Sequence, residues 1–496
     1  MKKSRITALL LTAAILSSAL VTASCGDTGE KKGETNAPVS DEGTTAPETA
    51  ADPFAGLPEK DYGGYEFNIA TNDYQESDFV SDEQTGDVFS DAIYARNSAV
   101  EEKFGVKLKT TAKSWMEMKA EIQQLVNAGE DHYDLIAQHA VSAGDQAIAG
   151  YYYNWYDVPY VDMTKDWWSS AAEKQLSYKN EVLYLAVGDA ALTTVSGSWL
   201  MVFDKKQAES YKLGSLYDIV RDGKWTLDKL LDLTKDVYSD LNGDNKRGIE
   251  DFYGYVNNTN SGLNAFLWSC DNPILKVDKD GVPRLSFMTE KLTNIVEKAM
   301  FLADGNPGGF TDQKYNSNWN ASLPADMFMD EKCIIATSTL SDVYSKLRYR
   351  ESLYGILPYP KYDEEQQKYI TQVDGSHAML SIPVTVSDVE RSGIITEALC
   401  AKTHEIVVPT YIETVIKAKL SDAKDDAEMA QLIIDSREFD YGYIYSGVTN
   451  RLGFIMQYIS SGQAESLASY YASNESSIKE RLDEFYNKLD WLIADN

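Results

Sequence analysis

Cysteine is scarce in this 496-residue chain, with four residues at positions 25, 270, 333 and 400. None is spaced as C-x-x-C or set beside histidine in a zinc pattern, so neither a zinc module nor a disulfide framework is indicated. Cysteines isolated in apolar surroundings, such as Lys332-Cys333-Ile334-Ile335, are expected to be buried core residues. Positive charge is also short: 46 Lys and Arg stand against 77 Asp and Glu, a net charge of −31. Nucleic-acid backbones need clustered cations, so that class of partner is excluded and neutral solutes fit better. Catalytic signatures are missing too, with no G-x-S-x-G elbow, no H-E-x-x-H helix and no G-x-x-x-x-G-K-[ST] loop. A pair of carboxylates brought together in space, as in a glycosidase, is the alternative, but acidic side chains are far more often solvated surface. The expectation is a protein that is not an enzyme. The apolar run from Ile6 to Val21 is shorter than the roughly 20 residues of a membrane-spanning helix.

What is present begins with that run. Lys2, Lys3 and Arg5 precede it, and Val21-Thr22-Ala23-Ser24-Cys25 closes it on small residues, the pattern of an export signal. The stretch resembles a bacterial lipoprotein signal, which implies removal of residues 1–24 and lipidation of Cys25; a secretory signal cut near Ala23 is the alternative. Residues 25–57 are rich in Gly, Thr, Glu, Asp, Ala and Pro without apolar periodicity and read as a flexible acidic tether. Such a tether spans roughly 30 Å.

Beyond it, short alternating or apolar strands (Tyr65 to Ala70, Val106 to Leu108, Tyr133 to Ala137) alternate with helical patterns at Asp91 to Phe104 and Met116 to Val126. That alternation predicts an α/β class built on a mainly parallel sheet, with ligands beyond the carboxyl ends of its strands near Asn72, Tyr74, Gln138 and His139. The β-prone stretch Thr193 to Trp199 is expected to cross to a second domain, since a chain of this length exceeds one core. Helical patterns then dominate. Strands recur at Cys333 to Thr337, Leu353 to Pro358 and His377 to Val384, and a last amphipathic helix starts near Ser477.

Several stretches together carry a resemblance. They are Tyr94-Ala95-Arg96-Asn97 before Glu101-Glu102-Lys103-Phe104-Gly105-Val106, Lys165-Asp166-Trp167-Trp168, Gly223-Lys224-Trp225-Thr226-Leu227-Asp228, Phe328-Met329-Asp330-Glu331-Lys332 and Tyr354-Gly355-Ile356-Leu357-Pro358. In this order the chain resembles the extracellular solute-binding lipoproteins of bacterial ABC importers, of the maltose-binding type. The resemblance implies a two-lobed, type II periplasmic-binding-protein-like fold with crossing hinge strands and a ligand cleft between the lobes. By pattern, lobe one comprises 58–196 plus 338–381 and lobe two 197–337 plus 382–496. It further implies a monomeric receptor, anchored to the extracytoplasmic face of the membrane, that captures a carbohydrate, an oligosaccharide above all, and delivers it to the permease subunits. A peptide or other organic solute is the alternative ligand.

Sugars stack their C–H faces on aromatic rings while polar side chains bond their hydroxyls, and the 32 Tyr and 9 Trp supply such faces. The ligand-binding candidates are Tyr74, His139, Trp199, Trp268, Trp319, Asp374 and His377, with Trp199 foremost because it lies on the proposed crossing. Trp167, Trp168 and Trp225 are assigned to packing. The run Tyr151-Tyr152-Tyr153-Asn154-Trp155-Tyr156 reads either as a cleft rim or as a partner surface. Asp240-Leu241-Asn242-Gly243-Asp244-Asn245-Lys246 through Asp251 offers oxygen donors at loop positions 1, 3, 5, 7 and 12, as Ca²⁺ requires. Asp240, Asn242, Asp244, Lys246 through its carbonyl, and Asp251 are therefore candidate ligands of a structural Ca²⁺, and an ion-free Asx turn is the alternative.

Overall fold

A computed structural model describes residues 52–81, 84, 86–311, 322–417 and 423–495. Cys25, residues 1–51 and Trp319 lie outside the described residues. Order begins earlier than the sequence suggests. Phe54 meets Phe104 edge to face at 5.7 Å, and Leu57 also packs on the core, so the end of the supposed tether is part of the folded body.

The first sheet has Tyr65–Asn72 at its centre, flanked by the parallel strands Val106–Lys113 and Leu135–His139. Ala378–Ser381 adds an antiparallel edge, pairing Ala378 with His139. The helix Val88–Phe104 forms as its spacing predicts: Ile93, Val100 and Phe104 are buried, the Asp87 carboxylate accepts the Ser90 N–H, and Gly105 caps it at φ 60°. Helix Trp115–Ala128 follows in the same manner and ends at the left-handed Gly129.

The second sheet runs in the order Tyr354–Leu357, Trp199–Asp204, Cys333–Thr339, Phe252–Asn257, Tyr238–Ser239, and Gly309–Thr311 also pairs with Phe252–Asn257. Trp199–Asp204 is buried along its whole length and has partners on both edges, as a continuous apolar strand should.

Two expectations about the crossings change. Residues 193–196 form a short helix and not a strand, so the first crossing is confined to Gly197 and Ser198, where Ser198 bridges Val373 of the returning segment. The return comes later than residue 338, because Cys333–Thr339 and Tyr354–Leu357 both bond to Trp199–Asp204 and keep the chain in the second sheet until after Leu357. Helix Val389–Lys402, assigned by sequence to lobe two, packs on Val88–Phe104 beside the first sheet. The last helix is longer than predicted, Leu467–Asp495.

Packing roles fall as expected for the three structural tryptophans. Trp225 is fully buried and donates its indole N–H to Pro358 O at 2.9 Å, while Trp167 and Trp168 both donate to the Glu397 carboxylate. Cys270, Cys333 and Cys400 are buried free thiols, and burial pushes the Cys270 thiol up to about 12. Among the described residues no helix is long and apolar enough to cross a membrane.

The second lobe is braced by a buried ion pair. Arg350 reaches the Asp204 carboxylate, both side chains being about 1% exposed, and also donates to Phe328 O at 3.0 Å. Asp204 in turn accepts the Gln207 N–H at 2.7 Å, capping the following helix. Removing one partner of such a pair strands the other charge. Arg350→Leu is expected to cost about 3–5 kcal/mol in urea unfolding. A loss below about 1 kcal/mol would show that the pair does not brace the lobe.

Candidate functional site

The site is built where the returning segment passes the carboxyl edge of the first sheet. Asn72 ends the central strand, and its side chain ties both neighbours, accepting the His139 N–H at 2.7 Å and donating to Lys113 O at 3.4 Å. The residues just past these strand ends are thereby gathered on one edge, as parallel sheets place their ligand groups. They include Tyr74 and Gln75 after Asn72, Trp115 after Lys113, and His139.

Across from them stands the turn Asp374 to His377. The Asp374 carboxylate accepts the Ser376 N–H at 2.9 Å and hydroxyl at 2.6 Å, and takes the Trp199 indole N–H at 3.2 Å. Gln75 and Tyr74 donate from the first lobe to Ser376 O, at 2.5 and 3.3 Å. Gly375 is required by close approach: a Cβ there would stand 2.7 Å from the Tyr443 hydroxyl and 2.8 Å from Val141. Gly262, on the second lobe, similarly lets its helix lie against the Trp199 ring, where a Cβ would come within 3.0 Å.

Five of the seven predicted ligand residues are therefore brought together: Tyr74, His139, Trp199, Asp374 and His377. Their accessibility separates them. Tyr74 is 47% exposed, and burial and then the Asp374 charge hold its phenol well above the usual range. Trp199 is only 6% exposed, set edge-on to Tyr359, and thus forms the floor. His377 is 2% exposed; its Nδ1 lies 2.6 Å from Asp374 O, which places the proton on Nδ1 and leaves Nε2 as an unpartnered acceptor. It braces the turn from its buried side. His139 keeps an unpartnered Nδ1, and burial lowers its pKa against the pull of Asp374, so both imidazoles are neutral at pH 7.

Trp268 is 4% exposed and stands one ring back, 4.7 Å from Tyr443, where it lines a separate cavity of about 230 Å³ with Asp440. Two contributors were missed by sequence reasoning. Trp115, 41% exposed and 5.6 Å from His139, is signalled only by the pairing of Asn72 with Lys113, which is invisible before the register is known. Tyr443 comes from the far C-terminal part of the chain and carries no local signal. Two exposed rings, a neutral imidazole and one carboxylate form a surface suited to an uncharged polyhydroxy ligand.

In the loop from Asp240 to Asp251, Asn245 adopts a left-handed φ of 57°. The Asp240 carboxylate accepts the Gly243 and Asn245 N–H groups, and Asp251 accepts those of Leu241 and Gly248. Among the described residues no three His, Cys, Asp or Glu side chains converge as metal ligands.

Comparison with solved structures finds the same architecture at low sequence identity. The chain is similar to an ABC-transporter solute-binding protein of Thermotoga lettingae bound to α-D-tagatose, at 14% identity and TM-score 0.55, over 84% of this chain and 100% of that one. It is similar to the maltose/maltodextrin-binding domain of Bdellovibrio bacteriovorus bound to maltotriose, at 14% identity and TM-score 0.52, over 86% and 100%. A Listeria monocytogenes ABC substrate-binding protein in complex with cycloalternan gives 10% identity and TM-score 0.52, over 86% and 99%. No protein-family model and no curated protein sequence matches. The fold is that of the two-lobed α/β solute-binding proteins of ABC transporters.

His377 makes a pH prediction. Burial lowers its pKa from 6.5 to about 4 in the folded chain, so between these values the unfolded state binds more protons. Its contribution is complete above pH 6.5 and falls as the pH drops toward 4. Relative to His377→Gln, the wild type is expected to lose about 3 kcal/mol of stability over that window, followed by urea unfolding. Parallel pH profiles would contradict this.

Proposed function

We propose that this protein is an extracytoplasmic carbohydrate receptor of an ABC importer that binds an oligosaccharide between its lobes and passes it unchanged to a permease. The observation that carries the reading is the meeting of the half-exposed rings of Tyr74 and Trp115 with Asp374 and His139 where the chain crosses between sheets. The sugars bound by the structurally similar proteins support the same ligand class. In a thermal-shift panel of glycans and peptides, at least one oligosaccharide is expected to raise the melting temperature saturably. Tyr74→Ala and Trp115→Ala are each expected to weaken that ligand about tenfold. Response to peptides alone, or release of cleaved sugars, would overturn the proposal.

The anchor is a further part of it. A lipidated Cys25 would keep the receptor at high local concentration beside its permease. Cells fed a labelled fatty acid are expected to label the wild type and not Cys25→Ala; equal labelling would remove the anchor.

Calcium at the loop from Asp240 to Asp251 is proposed on its donor spacing and on the left-handed Asn245, against the lack of a converged carboxylate group. Its role would be to stabilise the second lobe. Ca²⁺ is expected to raise the melting temperature of the wild type but not of Asp244→Ala, and identical melts in Ca²⁺ and chelator would leave a plain Asx turn.

A further inference from the structure

The tyrosine-rich run from Tyr151 to Tyr156 is not part of the cleft. Tyr153 donates its N–H to Ile382 O, and Val384 donates to Tyr151 O. Ile382 and Val384 lie beyond Ser381, which pairs with Ile136, whereas the cleft end of the same edge is the Ala378 and His139 pair. The run thus sits at the opposite end of the first sheet from the candidate site.

A cavity of about 580 Å³ opens there, within the roughly 300–1,000 Å³ typical of small-molecule sites. Tyr153, Tyr184, Asp157 and Glu181 line it, with Leu492 and Ile493 supplied by the last helix. Tyr184 is 4% exposed, and its hydroxyl has no hydrogen-bond partner among the described residues. Burial and then the Asp157 charge push that phenol up to about 12, so it stays a neutral hydroxyl whose oxygen can accept an N–H. Asn154 also lines the space, but its amide is spent: Nδ2 donates to Asp157 and to Glu181 O, while Oδ1 accepts the Leu183 N–H. The groups left over are the Glu181 carboxylate, the other oxygen of Asp157, a buried phenol and aromatic faces. Among the described residues no Lys, Arg or His lines the cavity. Two negative charges with no counter-ion among the described residues, beside tyrosine rings, select a cation that can also lie over a ring. Leu492 and Ile493 offer an apolar surface for a short methylene chain.

We infer that this cavity is a second ligand site, separate from the cleft, for a small organic cation carrying a primary amine or guanidinium on an aliphatic stem. It stands independently of the carbohydrate reading. The test uses agmatine as the probe and pentane-1,5-diol as an uncharged control, followed by calorimetry on the mature protein. Agmatine is expected to bind saturably, to weaken at least tenfold in Glu181→Gln, and to be unchanged in Tyr74→Ala. Tyr184→Phe, which removes one hydroxyl and keeps the ring, is expected to weaken it less. Melting curves of the variants verify folding; Glu181 is exposed, so its substitution does not threaten the core. Absence of agmatine binding, equal binding of the diol, or indifference to Glu181→Gln would each overturn the inference.

Discussion

The Asp374 carboxylate is where the two halves of this molecule are reconciled. It closes the turn of the returning segment through Ser376 and fixes the indole that starts the second sheet through Trp199. Gln75 and Tyr74 bind the same turn from the first lobe through Ser376 O. A hydrogen bond to an ionised acceptor is stronger than a neutral one, and three donors on one carboxylate hold the turn in place. Neighbouring groups are ordered by it, since the Asp374 carbonyl also sets the tautomer of His377.

Charges buried elsewhere tie distant segments of each lobe together. In the first lobe Arg391 joins Asp134 and the Tyr65 hydroxyl, and Arg96 spans Ala190 O and the Thr403 hydroxyl. The Arg350 and Asp204 pair does so in the second. Such pairs add little net stability over apolar packing, but each is costly to break. They tie together the segments inside each lobe, while the chain passes between the sheets at Ser198 and after Leu357.

Much of this was legible in the sequence. Helix and strand alternation, the cap at Gly105, and the buried Cys333 strand follow from local periodicity, which tertiary contacts left intact. That Asp374, Tyr74, His139 and Trp199 lie together was legible because strand ends and crossings gather on one edge of the sheet. Other features were not legible, for definable reasons. Residues 193–196 are β-prone but fold as a helix, because tertiary position outweighed propensity. The late return of the chain depends on which edge of Trp199–Asp204 accepts Tyr354–Leu357, a long-range choice with no local mark. Trp115 and Tyr443 join the site only through register and through the path of the C-terminal segment.

If the Asp374 turn is a pivot and the rings beside it hold a sugar, binding must change the shape of the protein. Small-angle X-ray scattering on the mature chain, with and without a stabilising oligosaccharide, measures this directly. The account predicts a saturable decrease in radius of gyration with glycan concentration, as the lobes close on the ligand. A radius that stays constant while the glycan binds would contradict it.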